Sequence, residues 1–167
     1  ATTYHQLGIV AQLRDQLDEA EDWYRQSLTI KEHIGDQPGI ATTYHQLGIV
    51  AQLRDQLDEA EDWYRQSLTI KEVTGNQPGM ATTYGQLGLL AENRGQPEEA
   101  LKWIVQCIAL FEQFPHPATG PGPAHLKRMT NSLGIGTLEQ TWQSVTGSPL
   151  PSPVRNFVLA EDPPATD

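Results

Sequence analysis

The chain has 167 residues, of which 38% are hydrophobic and 19% charged, and this composition supports a packed core. Its 11 Lys and Arg against 21 Asp and Glu give a formal net charge of −10, which argues against nucleic acids and anionic membranes as partners because both attract basic surfaces. We expect a cytoplasmic protein, since no apolar run approaches the ~20 residues of a membrane span, no signal-peptide pattern is present, and the single cysteine, Cys107, has no disulfide partner in the chain.

The first eighty residues consist of two nearly identical copies of a forty-residue unit. The two copies, 1–40 and 41–80, differ only at the residue pairs His33/Val73, Ile34/Thr74, Asp36/Asn76 and Ile40/Met80. A third and more divergent copy begins at Ala81. A repeat of this length indicates a solenoid or a propeller, so the pattern inside the unit has to decide between them.

Inside the unit, apolar residues recur at helical spacing in two runs, and no segment alternates with the period of a strand. The first run is Tyr4, Leu7, Gly8 and Ala11, and the second is Leu17, Ala20, Tyr24 and Leu28. We expect the second helix to end at Gly35 and Asp36 to cap the next helix. Asp18 and Glu21 lie in the first turn of the second helix, where the helix dipole favours solvated acids. The unit is therefore predicted to be helix–turn–helix and the fold all-α.

These residues resemble the signature of the tetratricopeptide repeat (TPR). The matches in the first unit are Tyr4, Leu7, Gly8, Ala11, Leu17, Ala20, Tyr24 and Ser27, and the second unit repeats all of them. Asp15 and Asp55 replace the usual turn glycine, and aspartate tolerates a positive φ better than most residues. The long second helix resembles the kinesin-light-chain type of TPR and the arrays attached to bacterial signalling ATPases. The resemblance implies a right-handed TPR superhelix of three repeats, 1–40, 41–80 and 81–114.

Downstream of the repeats the sequence changes character. The Pro- and Gly-rich stretch 115–123 is predicted to be a linker because proline is excluded from helix interiors. We expect helices from Ala124 to Leu133, from Thr137 to Gly147 and after Ser152, so that 124–160 forms a divergent C-terminal helical cap. Two other hypotheses stay open: a segment that folds into the groove and competes with a ligand, and an independent small module. Residues 161–167 are predicted to be a flexible tail.

No pattern in the chain indicates catalysis, a cofactor or a metal site. Neither a phosphate-binding lysine loop nor a serine-nucleophile motif is present. Cys107 occupies a helix interior, where burial raises the pKa of a thiol. His5 and His45 supply one imidazole per repeat with no second ligand one turn away, so a shared metal is not expected. The tryptophans Trp23, Trp63 and Trp103 recur at the repeat period, which favours packing between helices over an aromatic cage. We therefore expect a protein that is not an enzyme.

The resemblance also implies a concave groove lined by the first helix of each repeat. Its predicted residues are Thr2, His5, Ile9, Gln12 and Leu13 in repeat one, Thr42, His45, Ile49, Gln52 and Leu53 in repeat two, and Thr82, Gly85, Leu89, Glu92 and Asn93 in repeat three. TPR domains that clamp a terminal carboxylate use Lys, Arg and Asn at these places, and this chain has no such cluster. The groove instead offers uncharged hydrogen-bonding groups around an apolar strip, which suits an extended or helical peptide.

The predicted function is a non-catalytic scaffold that binds a peptide or a partner protein in this groove, as part of a longer chain. One alternative, by analogy alone, is a sensor or regulatory arm of a bacterial signalling ATPase. Another is self-association through the first repeat, because the face that carries Tyr4, Leu7 and Val10 has no preceding repeat to cover it.

Overall fold

A computed structural model describes residues 2–160, and those residues contain α-helices and one 3₁₀ helix but no strand. In chain order the elements are α1 (Thr2–Leu13), α2 (Leu17–Ile34), α3 (Gln37–Leu53), α4 (Leu57–Val73), α5 (Gln77–Asn93), α6 (Pro97–Ala109), a 3₁₀ helix (Pro117–Thr119), α7 (Gly122–Leu133), α8 (Ile135–Thr146) and α9 (Ser152–Leu159). The predicted all-α fold is confirmed, and each repeat is one helical hairpin.

The residues that end and begin the helices are those that the repeat pattern indicates. Gly35 closes α2 in the left-handed conformation, with φ 71°, which costs glycine little. The Asp36 carboxylate accepts a hydrogen bond from the backbone N–H three residues later, and Asn76 does the same for α5. Asp15 and Asp55 adopt φ values of 59° and 61° in the turns inside the first two hairpins, so aspartate replaces the family's glycine there.

Each hairpin is held together where a glycine of its first helix meets a large side chain of its second. A Cβ built on Gly48 would lie 2.6 Å from Cε1 of Tyr64, whose side chain is fully buried. Gly8 meets Tyr24 in the same way. The absent side chain therefore lets the two helices approach, and the tyrosine ring fills the space between them. The buried core consists of three clusters, and each cluster joins one hairpin to the helices that follow it.

Successive repeats are joined by an arginine as well as by apolar packing. The Arg54 guanidinium, at the end of α3, donates hydrogen bonds to the carboxylates of Asp18 and Glu21 on α2. Arg94 repeats this contact with the second repeat. Burial alone would raise the pKa of Glu21, but hydrogen bonds from Arg25 and Arg54 outweigh it and hold that pKa below its usual value. Asp18 and Glu21, which were expected only to be solvated at the start of the second helix, thus connect neighbouring repeats.

The tryptophans pack within and between repeats. Trp63 stacks on Tyr44 of its own hairpin, with ring centroids 5.4 Å apart. The Arg25 guanidinium from the preceding repeat lies 5.6 Å from the Trp63 ring centroid, within the range of a cation–π contact. Arg65 stands over Trp103 in the same manner at 5.2 Å. The preference for packing over an aromatic cage agrees with this arrangement.

The C-terminal helices pack on the third repeat. Helices α7 and α8 both contact α6, α9 contacts α7, and the 3₁₀ helix lies against α5. Helix α7 begins at Gly122, two residues earlier than expected, with Pro123 in its first turn where no N–H is needed. Helix α8 likewise begins at Ile135 rather than Thr137. The segment expected to be a linker therefore contains the 3₁₀ helix and the start of α7, and the predicted tail at 161–167 lies outside the described residues.

Candidate functional site

The candidate site is the surface formed by the first helices of the repeats, α1, α3 and α5, and we call it the first-helix surface. The structure places its predicted residues at different depths. Exposed are Thr2, Thr42, Thr82, Leu89 and Asn93; half-buried are His5, Ile9, Gln12, Ile49, Gln52 and Glu92; and His45 is buried. The predicted set therefore divides into accessible residues and residues whose contacts lie within the chain.

His45 is committed to the boundary between repeats two and three. Its Nδ1 lies 3.3 Å from Oγ1 of Thr83 on α5, and its ring packs against Tyr64 with centroids 5.3 Å apart. Burial, aided by the charge of Lys71, lowers the pKa of His45 to about 4. The imidazole is therefore neutral at physiological pH and serves as a spacer between helices.

Lys71 takes part in the same buried group. Its ammonium donates a hydrogen bond of 2.8 Å to Oγ1 of Thr83, which in turn donates to the Gly79 carbonyl at 3.1 Å. Burial lowers the pKa of Lys71 to about 8. Lys31 and Thr43 form the equivalent pair between repeats one and two. These residues stabilise the joint between hairpins and leave few donors for a ligand at this depth.

Two glutamines of the predicted set are partly occupied as well. The Tyr24 hydroxyl donates to Oε1 of Gln12, and the Tyr64 hydroxyl donates to Oε1 of Gln52, each at 2.9 Å. These bonds use the amide oxygens and leave the amide NH₂ groups as donors on the surface. Both glutamines can therefore support a ligand as donors, in orientations that the tyrosines fix.

In repeat three the equivalent residue is an acid, Glu92, and the C-terminal segment binds it. Nε2 of His125 lies 2.6 Å from the Glu92 carboxylate, and the Arg128 guanidinium donates to the same oxygen at 2.9 Å. Burial lowers the pKa of His125 despite the opposing effect of Glu92, so a neutral imidazole with its proton on Nε2 fits the contact. Helix α7 therefore borders the first-helix surface at its C-terminal end.

What remains accessible is apolar and uncharged. Leu13, Leu53 and Leu89 are 81%, 58% and 37% exposed. The hydroxyls of Thr42 and Thr82 donate to carbonyls one turn earlier in their helices, so toward a ligand these oxygens act as acceptors. The accessible part of the first-helix surface thus carries exposed leucines among neutral polar groups.

A cavity of about 580 Å³ opens at the C-terminal end of this surface. Helix α5, the segment around the 3₁₀ helix and helix α7 form its walls, and Thr82 and Leu89 of the predicted set are among the lining residues. Gly85, where repeats one and two have histidine, also lines it. The C-terminal segment therefore encloses space that the earlier repeats fill with a side chain.

Residues 2–160 contain no group of three or more His, Cys, Asp or Glu side chains that could hold a metal ion. Within the same range, no helix combines the length and the apolar character needed to cross a membrane. Cys107 is buried, and burial raises the pKa of its thiol to about 11, so the group is protonated and a weak nucleophile.

Sequence reasoning did not connect His125 and Arg128 with Glu92. The three residues belong to segments with unrelated patterns, and only the tertiary contact joins them. One signal did exist, because the third repeat has an acid where the first two have glutamine, which indicates a changed neighbour. A second usable signal was the recurrence of an arginine, Arg54 and Arg94, at the same position of two repeats. The acids that these arginines bind also recur at the repeat period.

The comparisons with known proteins identify the family. The sequence model of the tetratricopeptide repeat family matches residues 1–72 and, in a second match, residues 40–113. The chain belongs to the tetratricopeptide repeat family, whose members are generally scaffolds for protein–protein interaction. A search of curated proteins finds no match.

Solved structures share the superhelical fold. BtubC (BKLC) from P. vanneervenii superposes with a TM-score of 0.68 at 16% identity, covering 98% of this chain and 66% of that one. The nearly identical TPR-like repeats of a Podosopora anserina protein assigned as a kinesin light chain give a TM-score of 0.65 at 22% identity, covering 94% of this chain and 81% of that one. The predicted resemblance to kinesin-light-chain repeats is confirmed, and the fold is the TPR superhelix.

Proposed function

We propose that the chain is a non-catalytic interaction module that binds an extended peptide along the first-helix surface. The observation that carries the proposal is the exposure of Leu13, Leu53 and Leu89 on successive first helices, beside neutral polar groups. Leu13 and Leu53 occupy the same position forty residues apart, and Leu89 is exposed on the next first helix, so the three offer apolar contacts to an extended chain. Threonine and glutamine side chains can bond the backbone of that chain. The cytoplasmic location stays a prediction, and so does the sensor-arm alternative.

The contacts of the first-helix surface decide which of its residues can be substituted without damage to the fold. Substituting His45 with glutamate would bury a charge against Thr83 and Lys71, and changing Gln52 would remove the acceptor of the Tyr64 hydroxyl. Either change would damage the fold as well as binding, so that a loss of binding could not be assigned to the surface. Leu13 and Leu53 are better targets because their side chains are exposed, and substitutions at such positions usually alter stability little.

The experiment begins with a peptide selected from a random display library on the full chain. Its affinity is then measured for wild type, for the double variant Leu13→Glu/Leu53→Glu and for the control Ile34→Glu/Val73→Glu. The control residues are also exposed and apolar but end the second helices of the same repeats. We expect the first variant to bind at least about tenfold more weakly, the loss typical of a hot-spot residue, and the control to bind as wild type does. Equal affinity of both double variants would refute the proposed surface.

A second candidate function, self-association through the first repeat, has an observation of its own. Leu7 and Val10 are 38% and 43% exposed, whereas their equivalents Leu47 and Val50 are each 2% exposed under the preceding repeat. Arg14 forms no ion pair within residues 2–160, unlike Arg54. Helices α7–α9 cover the third repeat at the opposite end of the array. The first repeat of one copy therefore cannot pack on the third repeat of another copy as neighbouring repeats do, and a symmetric dimer through the two first repeats is favoured.

Sedimentation over a wide concentration range tests this second candidate. We expect the mass of the wild type to rise with concentration, and the double variant Leu7→Glu/Val10→Glu to stay monomeric. Leu159→Glu is the control, because Leu159 is exposed at the far end of the chain. A wild type that stays monomeric throughout, or a double variant that associates as the wild type does, would rule out this interface.

A further inference from the structure

The cavity beside α5 arises from two substitutions that are specific to repeat three. In repeats one and two, the fifth residue of the unit is a histidine whose ring packs against a tyrosine of the second helix, with centroids 5.4 Å apart for His5–Tyr24 and 5.3 Å for His45–Tyr64. The equivalent residues in repeat three are Gly85 and Ile104, and both line the cavity. Two rings have thus been replaced by a hydrogen atom and a short aliphatic chain.

The rest of the chain does not refill this space. A Cβ built on Gly85 would find no atom within 4 Å, and the cavity retains about 580 Å³. The usual range for small-molecule sites is about 300–1,000 Å³. Helix α7 is held beside the cavity because His125 and Arg128 both bind Glu92 of α5. The cavity is therefore part of a fixed junction between the repeats and the C-terminal segment.

The walls and the rim differ in chemistry. Glycine, alanine, leucine, isoleucine and proline supply most of the wall, with Leu89 and Ile104 its largest apolar side chains. The polar groups include the Gln86 amide, which forms no side-chain hydrogen bond within residues 2–160, and the exposed Arg128 guanidinium. Elsewhere in this chain an arginine stands over an aromatic ring at each of two repeat boundaries. An apolar cavity with a few polar groups is the usual arrangement of a small-molecule site.

We propose that this cavity binds a small, uncharged aromatic molecule of about two fused rings that carries a hydrogen-bond acceptor. The ring system takes the place of the imidazole and phenol rings that repeats one and two use, and it packs on Leu89 and Ile104. The acceptor faces the donors of Gln86 and Arg128, and the guanidinium adds a cation–π contact. The bound molecule touches both α5 and α7 and so strengthens the junction between them. This site does not depend on peptide binding by the remainder of the first-helix surface.

The test uses quinoline as the probe and cyclooctanol as an aliphatic probe of similar size, both added to the full isotope-labelled chain and followed by NMR. We expect quinoline to shift the backbone amide signals of Gly85, Gly120 and Gly122, which line the cavity, in a saturable manner. It should bind about two- to tenfold more tightly than cyclooctanol because of its aromatic contacts. Absence of saturable shifts at these glycines would overturn the proposal, as would an equal affinity for the two probes.

Two variants show whether the probe occupies this cavity. Gly85→His restores the residue of repeats one and two and fills the space, so quinoline binding should be lost. Gly136→His on α8 is the matched control, because a Cβ there also meets no atom within 4 Å and the residue does not line the cavity. This variant should leave the affinity unchanged. Circular dichroism verifies that both variants keep their helices. Quinoline that binds Gly85→His as it binds wild type would overturn the assignment, whatever the outcome of the peptide experiment.

Discussion

The close approach of the two helices in repeat two predicts an unusual response to the smallest side-chain addition. In Gly48→Ala the new methyl group would lie 2.6 Å from Cε1 and 2.7 Å from Cδ1 of Tyr64. The Tyr64 ring has little freedom to move away, because it is fully buried, packs against His45 and donates its hydroxyl to Gln52. The added methyl must therefore push the helices apart or displace a ring that several neighbours hold.

Two other helical glycines provide comparisons that separate this clash from the general effect of alanine. A Cβ at Gly88 would lie 2.8 Å from Cδ1 of Ile104, the free end of a flexible side chain, and a Cβ at Gly85 would meet nothing within 4 Å. Replacing glycine by alanine inside a helix stabilises it by about 1 kcal/mol, whereas overpacking costs about 1–3 kcal/mol. We expect Gly48→Ala, to which both effects apply, to lose up to about 2 kcal/mol of unfolding free energy, Gly88→Ala to change it little, and Gly85→Ala to gain about 1 kcal/mol.

Urea denaturation followed by far-UV circular dichroism measures the three variants beside wild type. The ordering Gly85→Ala, Gly88→Ala, Gly48→Ala from most to least stable is the expected result, and Gly48→Leu should be less stable still. If Gly48→Ala were as stable as Gly85→Ala, the close packing of α3 on the Tyr64 ring would not be needed, and the register assigned to the hairpin would be refuted.

Three further predictions follow from the packing of the repeats. Tyr64→Ala should lower the unfolding free energy by about 3–5 kcal/mol in the same denaturation assay, because it removes a buried ring, and a loss below 1 kcal/mol would contradict the burial of that ring. The folded chain holds the proton of His45 less tightly than the unfolded chain does, with a pKa of about 4 against 6.5; the unfolding free energy should therefore fall between pH 6.5 and pH 4, by about 3 kcal/mol at most. In thermal unfolding across that range, His45→Gln should show a smaller slope than wild type. Arg54→Gln should destabilise the chain by about 1 kcal/mol more than Arg14→Gln in low salt, because Arg54 bridges two repeats whereas Arg14 forms no ion pair within residues 2–160. Equal losses in the two variants, or a difference that high salt leaves unchanged, would argue against this ion pair.

Much of the fold could be predicted from the sequence because local signals and repetition agree. Gly35, Asp36 and Asp55 act within a few residues of themselves, so their roles as helix terminator, helix cap and turn residue depend on backbone geometry alone. The forty-residue period then requires each unit to pack on its neighbour. The start of α7 was harder to predict, because prolines and glycines there satisfied the rules for a linker equally well.

The candidate site was less predictable, since its residues also serve the contact between repeats. His45 was expected on an accessible groove by its position in the family pattern, yet the structure buries it against Thr83. Sequence position fixes the face of a helix on which a residue lies. It does not fix how deeply the neighbouring helices cover that face, which depends on side chains much further along the chain, such as the buried Lys71 and Thr83.

Near identity of repeats one and two makes the departures in repeat three informative. A position that merely supports packing between like repeats has no reason to differ, whereas a position that meets the C-terminal segment does. Gly85, Glu92 and Ile104 all depart from their equivalents, and all three lie at the junction with that segment, two lining the cavity and one bound to α7. Glu92 secures the segment through two ionic or charge-assisted bonds, and Gly85 and Ile104 leave space beside it. Capping alone would favour side chains that fill the space beside α7, because protein interiors are closely packed. A ligand at the junction explains why these substitutions bind α7 and yet leave a cavity next to it.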